Sequence, residues 1–217
     1  MWAERPETQA LLDQARQGAA GAVDRLLGAH REPVRRMIQL RLDPALAARL
    51  DASDVVQDVL LEAHRRLSDY LRNPVMPFHL WLRHIAKDHI IDAHRRHRQA
   101  QRRSLDREQP IVPARLDAHS SIELAGQLLD QEATPASAAI RNELQKRIDR
   151  ALAELDEEDR EVILMRHGEQ LSNQEVAEAL GLTEAAASMR YLRAVRRLRA
   201  ALLPGGASSS GDSSTGG

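Results

Sequence analysis

The sequence predicts an all-α protein made of two small helical domains joined by a flexible linker. Strong helix formers such as Leu, Ala, Arg and Glu dominate it. Aromatic residues make up only 2 % of the chain against 42 % hydrophobic residues, so the cores must be largely aliphatic. Apolar residues recur at helical spacing on both sides of residues 104–134, where strong periodicity is lost and two prolines occur.

We therefore divide the 217 residues into five segments. The first three are a leader helix (1–20), a helical domain (21–103) and the linker (104–134), which could hold one short helix near residues 122–129. A second helical domain (135–203) contains a helix-turn-helix and is opened by a cap at Thr134-Pro135. The tail (204–217), PGGASSSGDSSTGG, is predicted to be disordered because it has nothing to bury.

Capping and breaking residues delimit the helices before the linker. A leading helix over residues 7–17 should close at Gly18, and Pro33 should kink or break the helix over residues 23–42. Asp51 is a candidate N-cap for the next helix. The segment LRNPVMP must form a loop, after which a third helix starts at Phe78, with Phe78 and Trp81 spaced as core residues.

The formal net charge of −1 hides a marked segregation of charge. Residues 81–103 hold seven Lys/Arg against two acids, and residues 183–201 hold five Arg against one Glu. Acids outnumber bases between them, six to three over residues 104–142 and eight to four over residues 143–161. Two basic blocks of this kind fit two sites on one polyanion, although two solvated helix faces would look the same in composition.

Several classes of function are not expected. The chain has no cysteine, which excludes disulfides and thiolate chemistry, and it lacks both a signal-peptide pattern and an apolar run of about 20 residues. We therefore expect a soluble cytoplasmic protein without membrane contact. Among the histidines of the third helix only His94 and His97 share a face, while His84 and His89 point elsewhere, and no HExxH motif occurs. We expect no enzyme, catalytic residue, metal or cofactor.

The sharpest local signal is a helix-turn-helix pattern over residues 171–198. The segment Ser172–Glu175 reads as a capping box, Gly181 supplies the turn, and Thr183 caps a second, basic helix. Ala177 and Ala187 are small residues where the two helices would cross. Any helical hairpin with a glycine turn would share part of this pattern, but capping box, spacing and basic second helix together favour DNA binding.

Two blocks resemble a known family. LAELDEEDREVILMRHGEQLSNQEVAEALGLTEAAASMRYLRAVRRLR (residues 152–199) resembles the promoter −35-binding domain of the sigma-70 family. DASDVVQDVLLEAHRRL (51–67) followed by PFHLWLRHIAKDHIIDAHRRHR (77–98) resembles the N-terminal domain of that family. Their order and the short linker are similar to the extracytoplasmic-function group. The resemblance covers roughly two thirds of the chain and implies a sigma factor that binds core RNA polymerase and promoter DNA.

The resemblance assigns roles to residues in both domains. It implies that the first domain docks on the β′ clamp of core polymerase and the second domain on the β flap. The candidates for the clamp contact are Asp54, Val55, Gln57, Asp58 and Leu61. It implies −10 recognition by Asn73, Lys87, Asp88, Arg95 and Arg96. It implies −35 recognition by Ser172, Thr183, Glu184, Ala186, Ser188, Arg190, Tyr191, Arg193 and Arg197.

The sequence departs from the family pattern at two of these places. Asp88 stands where many relatives have asparagine, and Ser188 stands where Lys or Arg is common, in a recognition helix rich in alanine. DNA shape could then contribute to −35 reading, and the promoter sequence does not follow from the chain.

Two other readings of the same residues stay open. A stand-alone helix-turn-helix regulator would bind duplex DNA without polymerase, and a sequestering protein would bind polymerase without initiating. An anti-sigma factor is a further candidate partner, and we expect a monomer outside the holoenzyme.

Overall fold

A computed structural model describes residues 6–42, 50–103, 116–129 and 138–202, and every regular element in these ranges is a helix. The predicted all-α class is confirmed. The bounds are α1 Pro6–Arg16, α2 Ala22–Ala29, α3 Arg31–Arg41, α4 Ala52–Arg72, α5 Phe78–Arg103, α6 Ala118–Leu129, α7 Ala138–Glu154, α8 Glu157–Ile163 with a π-helical turn Leu164–Gly168, α9 Asn173–Leu180 and α10 Glu184–Leu202. None of the described helices is long and apolar enough to span a bilayer.

The predicted capping and breaking residues lie where the helices begin and end. α1 ends just before Gly18, which has a φ of 70°. The break expected near Pro33 lies at His30, between α2 and α3, so Pro33 sits in the first turn of α3, where a missing N–H disrupts no helical hydrogen bond. The Asp51 side chain caps α4 by accepting a hydrogen bond from the backbone N–H of Ser53 at 2.8 Å.

An aromatic cluster fixes the start of α5 against the end of α4. The Phe78 ring is fully buried, and its centroid lies 5.5 Å from that of Tyr70 and 5.4 Å from that of Trp81. The Tyr70 hydroxyl donates to the carbonyl of Met76 at 2.9 Å, which holds the intervening loop. The core position predicted for Phe78 is confirmed, and Trp81 is half-buried against the same core.

Part of the segment predicted as a linker belongs to a core. The short helix expected near residues 122–129 is present as α6 and packs against α7 and α10. Leu116, Leu124 and Leu128 are buried among the side chains of those helices. The Thr134-Pro135 cap and the tail over residues 204–217 lie outside the described residues.

Helices α1–α5 (residues 6–103) form an N-terminal group, and helices α6–α10 (residues 116–202) form a C-terminal group. The two groups share one buried cluster, in which Val162, Met165 and Val176 pack with the N-terminal core. At Gly168 the backbone comes so close to α3 that a Cβ there would lie 2.7 Å from Leu40 Cδ1. Only glycine therefore fits this contact without a shift of its neighbour.

We expect Phe78→Ala to lower the free energy of unfolding by about 3–5 kcal/mol, because it leaves a cavity between α4 and α5. Urea denaturation followed by circular dichroism measures this. Val75→Ala is the matched control, since Val75 is 69 % exposed and should change stability by less than about 0.5 kcal/mol. Equal effects of the two substitutions would contradict the core assignment.

We expect His167 to make the stability of the C-terminal group depend on pH. Its Nε2 lies 3.0 Å from the Tyr191 hydroxyl oxygen, and burial, aided by the charge of Arg166, lowers the pKa of His167 to about 4. The unfolded chain takes up this proton near pH 6.5, so stability should fall by up to about 3 kcal/mol as the pH drops from 6.5 to 4.

His167→Gln removes this titration and should reduce the slope of the unfolding free energy between pH 4 and 6.5, while burial of His84, which also lowers its pKa, preserves part of that slope. His64→Gln, at an exposed position on α4, is the control and should keep the parent slope. The assignment fails if His167→Gln retains that slope.

Candidate nucleic-acid interface

The predicted helix-turn-helix is formed by α9 and α10. Ser172 Oγ accepts the N–H of Glu175 at 3.2 Å, and the Glu175 carboxylate accepts the N–H of Ser172 at 2.7 Å, which completes the capping box. Gly181 turns the chain with a φ of 64°, a conformation that glycine adopts without strain. Thr183 Oγ1 accepts the N–H of Ala186 at 3.1 Å and caps α10.

Small residues allow the two helices to approach each other. Ala177 on α9 and Ala187 on α10 are buried, as the sequence predicted. A side-chain contact adds to this packing, because the amide of Asn173 donates to the carbonyl of Glu184 at 3.0 Å. The start of α10 is thereby fixed in orientation against α9.

The start of α10 presents one glutamate and several small side chains to solvent. Thr183, Glu184 and Ala186 are exposed, whereas Ser188 is half-buried. Farther along the same helix, two large apolar side chains stay exposed, Met189 at 62 % and Leu192 at 45 %.

Three arginines predicted to contact DNA form ion pairs with acids at the start of α8. Arg190 lies 2.7 Å from a Glu158 carboxylate oxygen, and Arg193 lies 2.7 Å from one of Asp159. Arg197 lies 2.5 Å from Asp156 and 2.9 Å from Asp159. Asp159 is fully buried, so these contacts neutralise a charge that water does not reach.

The paired arginines keep part of their surface in solvent. The side chains of Arg193 and Arg197 remain about half exposed, at 51 % and 50 %, and that of Arg190 is 23 % exposed. Tyr191 is half-buried and forms a hydrogen bond with His167. By contrast, Arg196 is exposed and has no ion-pair partner among the described residues.

Four of the five predicted clamp-docking residues form an exposed stripe on α4. Asp54, Gln57, Asp58 and Leu61 recur at helical spacing on the surface, and Leu61 is 49 % exposed. Val55 lies on the opposite side, where it is buried in the core. The stripe thus offers acids, an amide and one leucine to a partner, while Val55 supports the helix from behind.

The predicted −10 residues lie at the end of α4 and along α5. Asn73 is exposed at the end of α4 and lines an open pocket of about 570 Å³ together with Arg72, Val75 and Trp81. On α5, Asp88, Arg95 and Arg96 are exposed and Lys87 is half-buried. Arg95 and Arg96 also line a second pocket of about 490 Å³, with Asp58, His89 and Asp92.

The structure also contains a set of charged residues that the sequence did not single out. Arg41 on α3 and Arg83 on α5 face Glu161 on α8 and Glu169 just after the π-helical turn. We call these four residues the inter-domain cluster. Arg83 contacts Glu161 at 2.5 Å and Glu169 at 2.8 Å, and Arg41 forms ion pairs with the same two glutamates. The side chains of Arg83 and Glu169 are 1 % and 0 % exposed.

Electrostatics in this cluster favour the charged forms. Burial opposes ionisation of Glu161, but the charges of Arg41 and Arg83 outweigh it and hold the pKa of Glu161 at about 2. Burial likewise works against the charge of Arg41, and the two glutamates overcome it and raise the pKa of Arg41. Nearby, His79 Nε2 on α5 lies 2.8 Å from the Glu175 carboxylate of the capping box.

Nothing in the described residues resembles a metal site. No group of three or more His, Asp or Glu side chains comes together in a way that could hold an ion. The Nε2 atom of His94, one of the histidines of α5, forms a hydrogen bond with the carbonyl oxygen of Arg41 at 3.1 Å.

Comparison with solved structures finds relatives of the whole arrangement. The chain is similar to CnrH in its complex with the cytosolic domain of CnrY, at 26 % identity and a TM-score of 0.56, with 90 % of this chain and 96 % of that chain covered. It shares its fold with the sigma factor RpoE of Bartonella quintana, solved with the anti-sigma factor NepR, at 18 % identity and a TM-score of 0.54, with coverage of 84 % and 98 %. No curated protein matches the chain.

Two family models match in the order that the sequence analysis predicted. Residues 26–100 match sigma-70 region 2, and residues 145–198 match sigma-70 region 4. The first range contains the α4 stripe and most of α5, and the second contains the helix-turn-helix. The chain therefore belongs to the sigma-70 family of RNA polymerase sigma factors.

Proposed function

We propose that the protein binds core RNA polymerase, directs it to promoters through −10 and −35 elements, and promotes promoter opening. The presence of regions 2 and 4 in one chain carries this proposal. Because initiation requires the polymerase and the promoter at once, both regions must act together. The reaction belongs to the polymerase, and we expect no catalytic activity from this chain. It would act in the cytoplasm, where polymerase and nucleoid are found.

Docking on the polymerase clamp is assigned to the α4 stripe of Asp54, Gln57, Asp58 and Leu61. Its support is that all four are exposed and share one face of a 21-residue helix. The acids attract a basic partner surface, while Leu61 supplies an apolar centre around which water is excluded. Val55, which is buried, would act only by holding the helix in place.

Opening of the −10 element is assigned to Asn73 and the pocket beside it. A base taken out of the duplex needs a polar group to read its edge and a flat side chain to stack on. Asn73 supplies the first and half-buried Trp81 the second, on the rim of the same pocket. Lys87, Arg95 and Arg96 lie farther along α5, where they can contact phosphates of the adjoining strand.

Recognition of the −35 element is assigned to the N-terminal half of α10. Thr183, Glu184 and Ala186 are exposed there, with half-buried Ser188 beside them. Arg190, Arg193 and Arg197 are anchored by acids, so they would present a fixed positive rim to phosphates rather than reach freely for bases. Ser172 and Tyr191 would act mainly by positioning α9 and α10.

An anti-sigma factor is the partner we propose for the free protein. Both solved relatives are complexes with a second protein, in one case a named anti-sigma factor. A stand-alone helix-turn-helix regulator remains the second candidate, supported by the complete capping box and turn of α9–α10. The two functions differ in whether core polymerase is required.

Run-off transcription tests the proposed function. Core RNA polymerase from the source bacterium, combined with genomic promoter fragments, should yield promoter-specific transcripts only when this protein is added. Tight binding to core without transcripts would instead indicate a sequestering protein. Binding to duplex DNA alone, without binding to core, would establish the stand-alone regulator.

Asp54→Ala combined with Gln57→Ala should weaken binding to core polymerase by at least about tenfold, because it removes two polar contacts worth about 1 kcal/mol each. Fluorescence anisotropy of the labelled protein titrated with core measures this. Gln9→Ala with Asp24→Ala removes the same residue types from exposed positions on α1 and α2 and should leave affinity unchanged. Equal affinity of both double variants would refute the docking assignment.

A further inference from the structure

Three arginines of α10 lie in one row that continues from the exposed start of the helix. Arg190, Arg193 and Arg197 are separated by three and four residues, which places them on one face of an α-helix. Exposed Ala186 lies four residues before Arg190 and so begins the same row. A duplex seated on the first turns of α10 would therefore bring phosphates to these arginines.

Two of the arginines are held by acids that the fold itself needs. Arg193 donates to both carboxylate oxygens of Asp159, at 3.1 and 2.7 Å, and Arg197 lies 2.9 Å from the same carboxylate. Asp159 is fully buried, and Asp156, the second partner of Arg197, caps α8 by accepting the N–H of Asp159 at 2.8 Å. Separation would leave a buried charge without a partner, so both arginines keep these acids when DNA is bound.

The partner of Arg190 has no such role in the fold. Glu158 Oε2 lies 2.7 Å from Arg190 Nη2, and the Glu158 side chain is 68 % exposed against 23 % for Arg190. Within the described part of the chain, Arg190 is the one ion-pair partner of Glu158. An ion pair with so exposed an acid contributes little to folding stability. Its carboxylate also repels phosphates, so Glu158 opposes the binding that the row of arginines promotes.

We infer that Glu158 is an intramolecular competitor of the DNA backbone, whose carboxylate occupies the guanidinium group of Arg190 until a DNA phosphate displaces it. This inference deepens the −35 recognition proposed above and rests on it. Displacement has the same cost on every sequence, because phosphates carry no sequence information. Glu158 thereby lowers the affinity of the basic helix for DNA in general, and the exposed first turns of α10 are left to distinguish one sequence from another.

Glu158→Gln should raise the affinity of the holoenzyme for promoter duplex. Arg190 then gains a phosphate contact, so affinity at about 100 mM KCl should rise about three- to tenfold, and the plot of log K against log[KCl] should steepen by about 0.9. Fluorescence anisotropy of a labelled duplex measures this at low temperature, where the promoter stays closed. Glu157→Gln is the matched control, because Glu157 is exposed in the same turn and forms no ion pair with any described residue.

Two comparisons identify the contact that is gained. A duplex with a scrambled −35 element should gain as much affinity as the intact promoter, as expected for a phosphate contact. In an Arg190→Gln background, Glu158→Gln should change affinity no more than Glu157→Gln does. The inference is overturned by a gain restricted to the intact −35 element, by a gain that persists without Arg190, or by equal effects of the two glutamine substitutions.

The chain without polymerase separates this inference from the proposed function. If the parent gives no transcripts in the run-off assay, the proposed function fails, and the same variants are then titrated alone with a short random-sequence duplex. A gain from Glu158→Gln that requires Arg190 would still support the competition. Equal binding by Glu158→Gln and Glu157→Gln, or no binding by any variant, would refute it. If transcription succeeds but Glu158→Gln behaves as its control, the inference fails and the proposed function stands.

Discussion

A buried guanidinium group needs a carboxylate beside it, and this constraint organises the contact between the two halves of the protein. Arg83 is almost completely buried in the middle of the structure and meets Glu161 and Glu169. Without them its burial would be strongly unfavourable. The same glutamates neutralise Arg41, so one pair of acids ties two helices of the N-terminal group to the helix-turn-helix domain. The positions of α3, α5 and α8 relative to each other follow from this requirement.

Charge pairing also shapes the DNA-binding helix. Asp156 caps the N-terminus of α8, and Glu158 and Asp159 lie in its first turn, where the helix dipole favours acids. There they meet the arginines of α10. The acids thus hold these arginines in fixed positions, and part of the hydrogen-bonding capacity of each guanidinium group is used within the protein. The other exposed residues of α10 are small or apolar, except for Glu184, Arg196 and Arg199. Direct readout by bidentate hydrogen bonds would therefore be limited, which gives DNA shape and van der Waals contacts a larger share of −35 specificity.

The features that the sequence predicted correctly depend on local chemistry. The capping box at Ser172, the turn at Gly181 and the cap at Asp51 are set by residues within a few positions of each other. The inter-domain cluster could not be predicted, because Arg41 lies 128 positions from Glu169 and periodicity says nothing about such pairs. The arginine pairs of α10 were missed for the same reason, since Arg193 meets Asp159, 34 positions earlier. The prediction of a linker over residues 104–134 did not include the packing of α6, whose leucines are buried against helices that follow it.

The α4 stripe is accessible to a partner while the two groups are packed together. Asp54, Gln57, Asp58 and Leu61 are exposed even though the C-terminal group is packed on the N-terminal group. The clamp contact proposed for this stripe therefore does not require the inter-domain cluster to break.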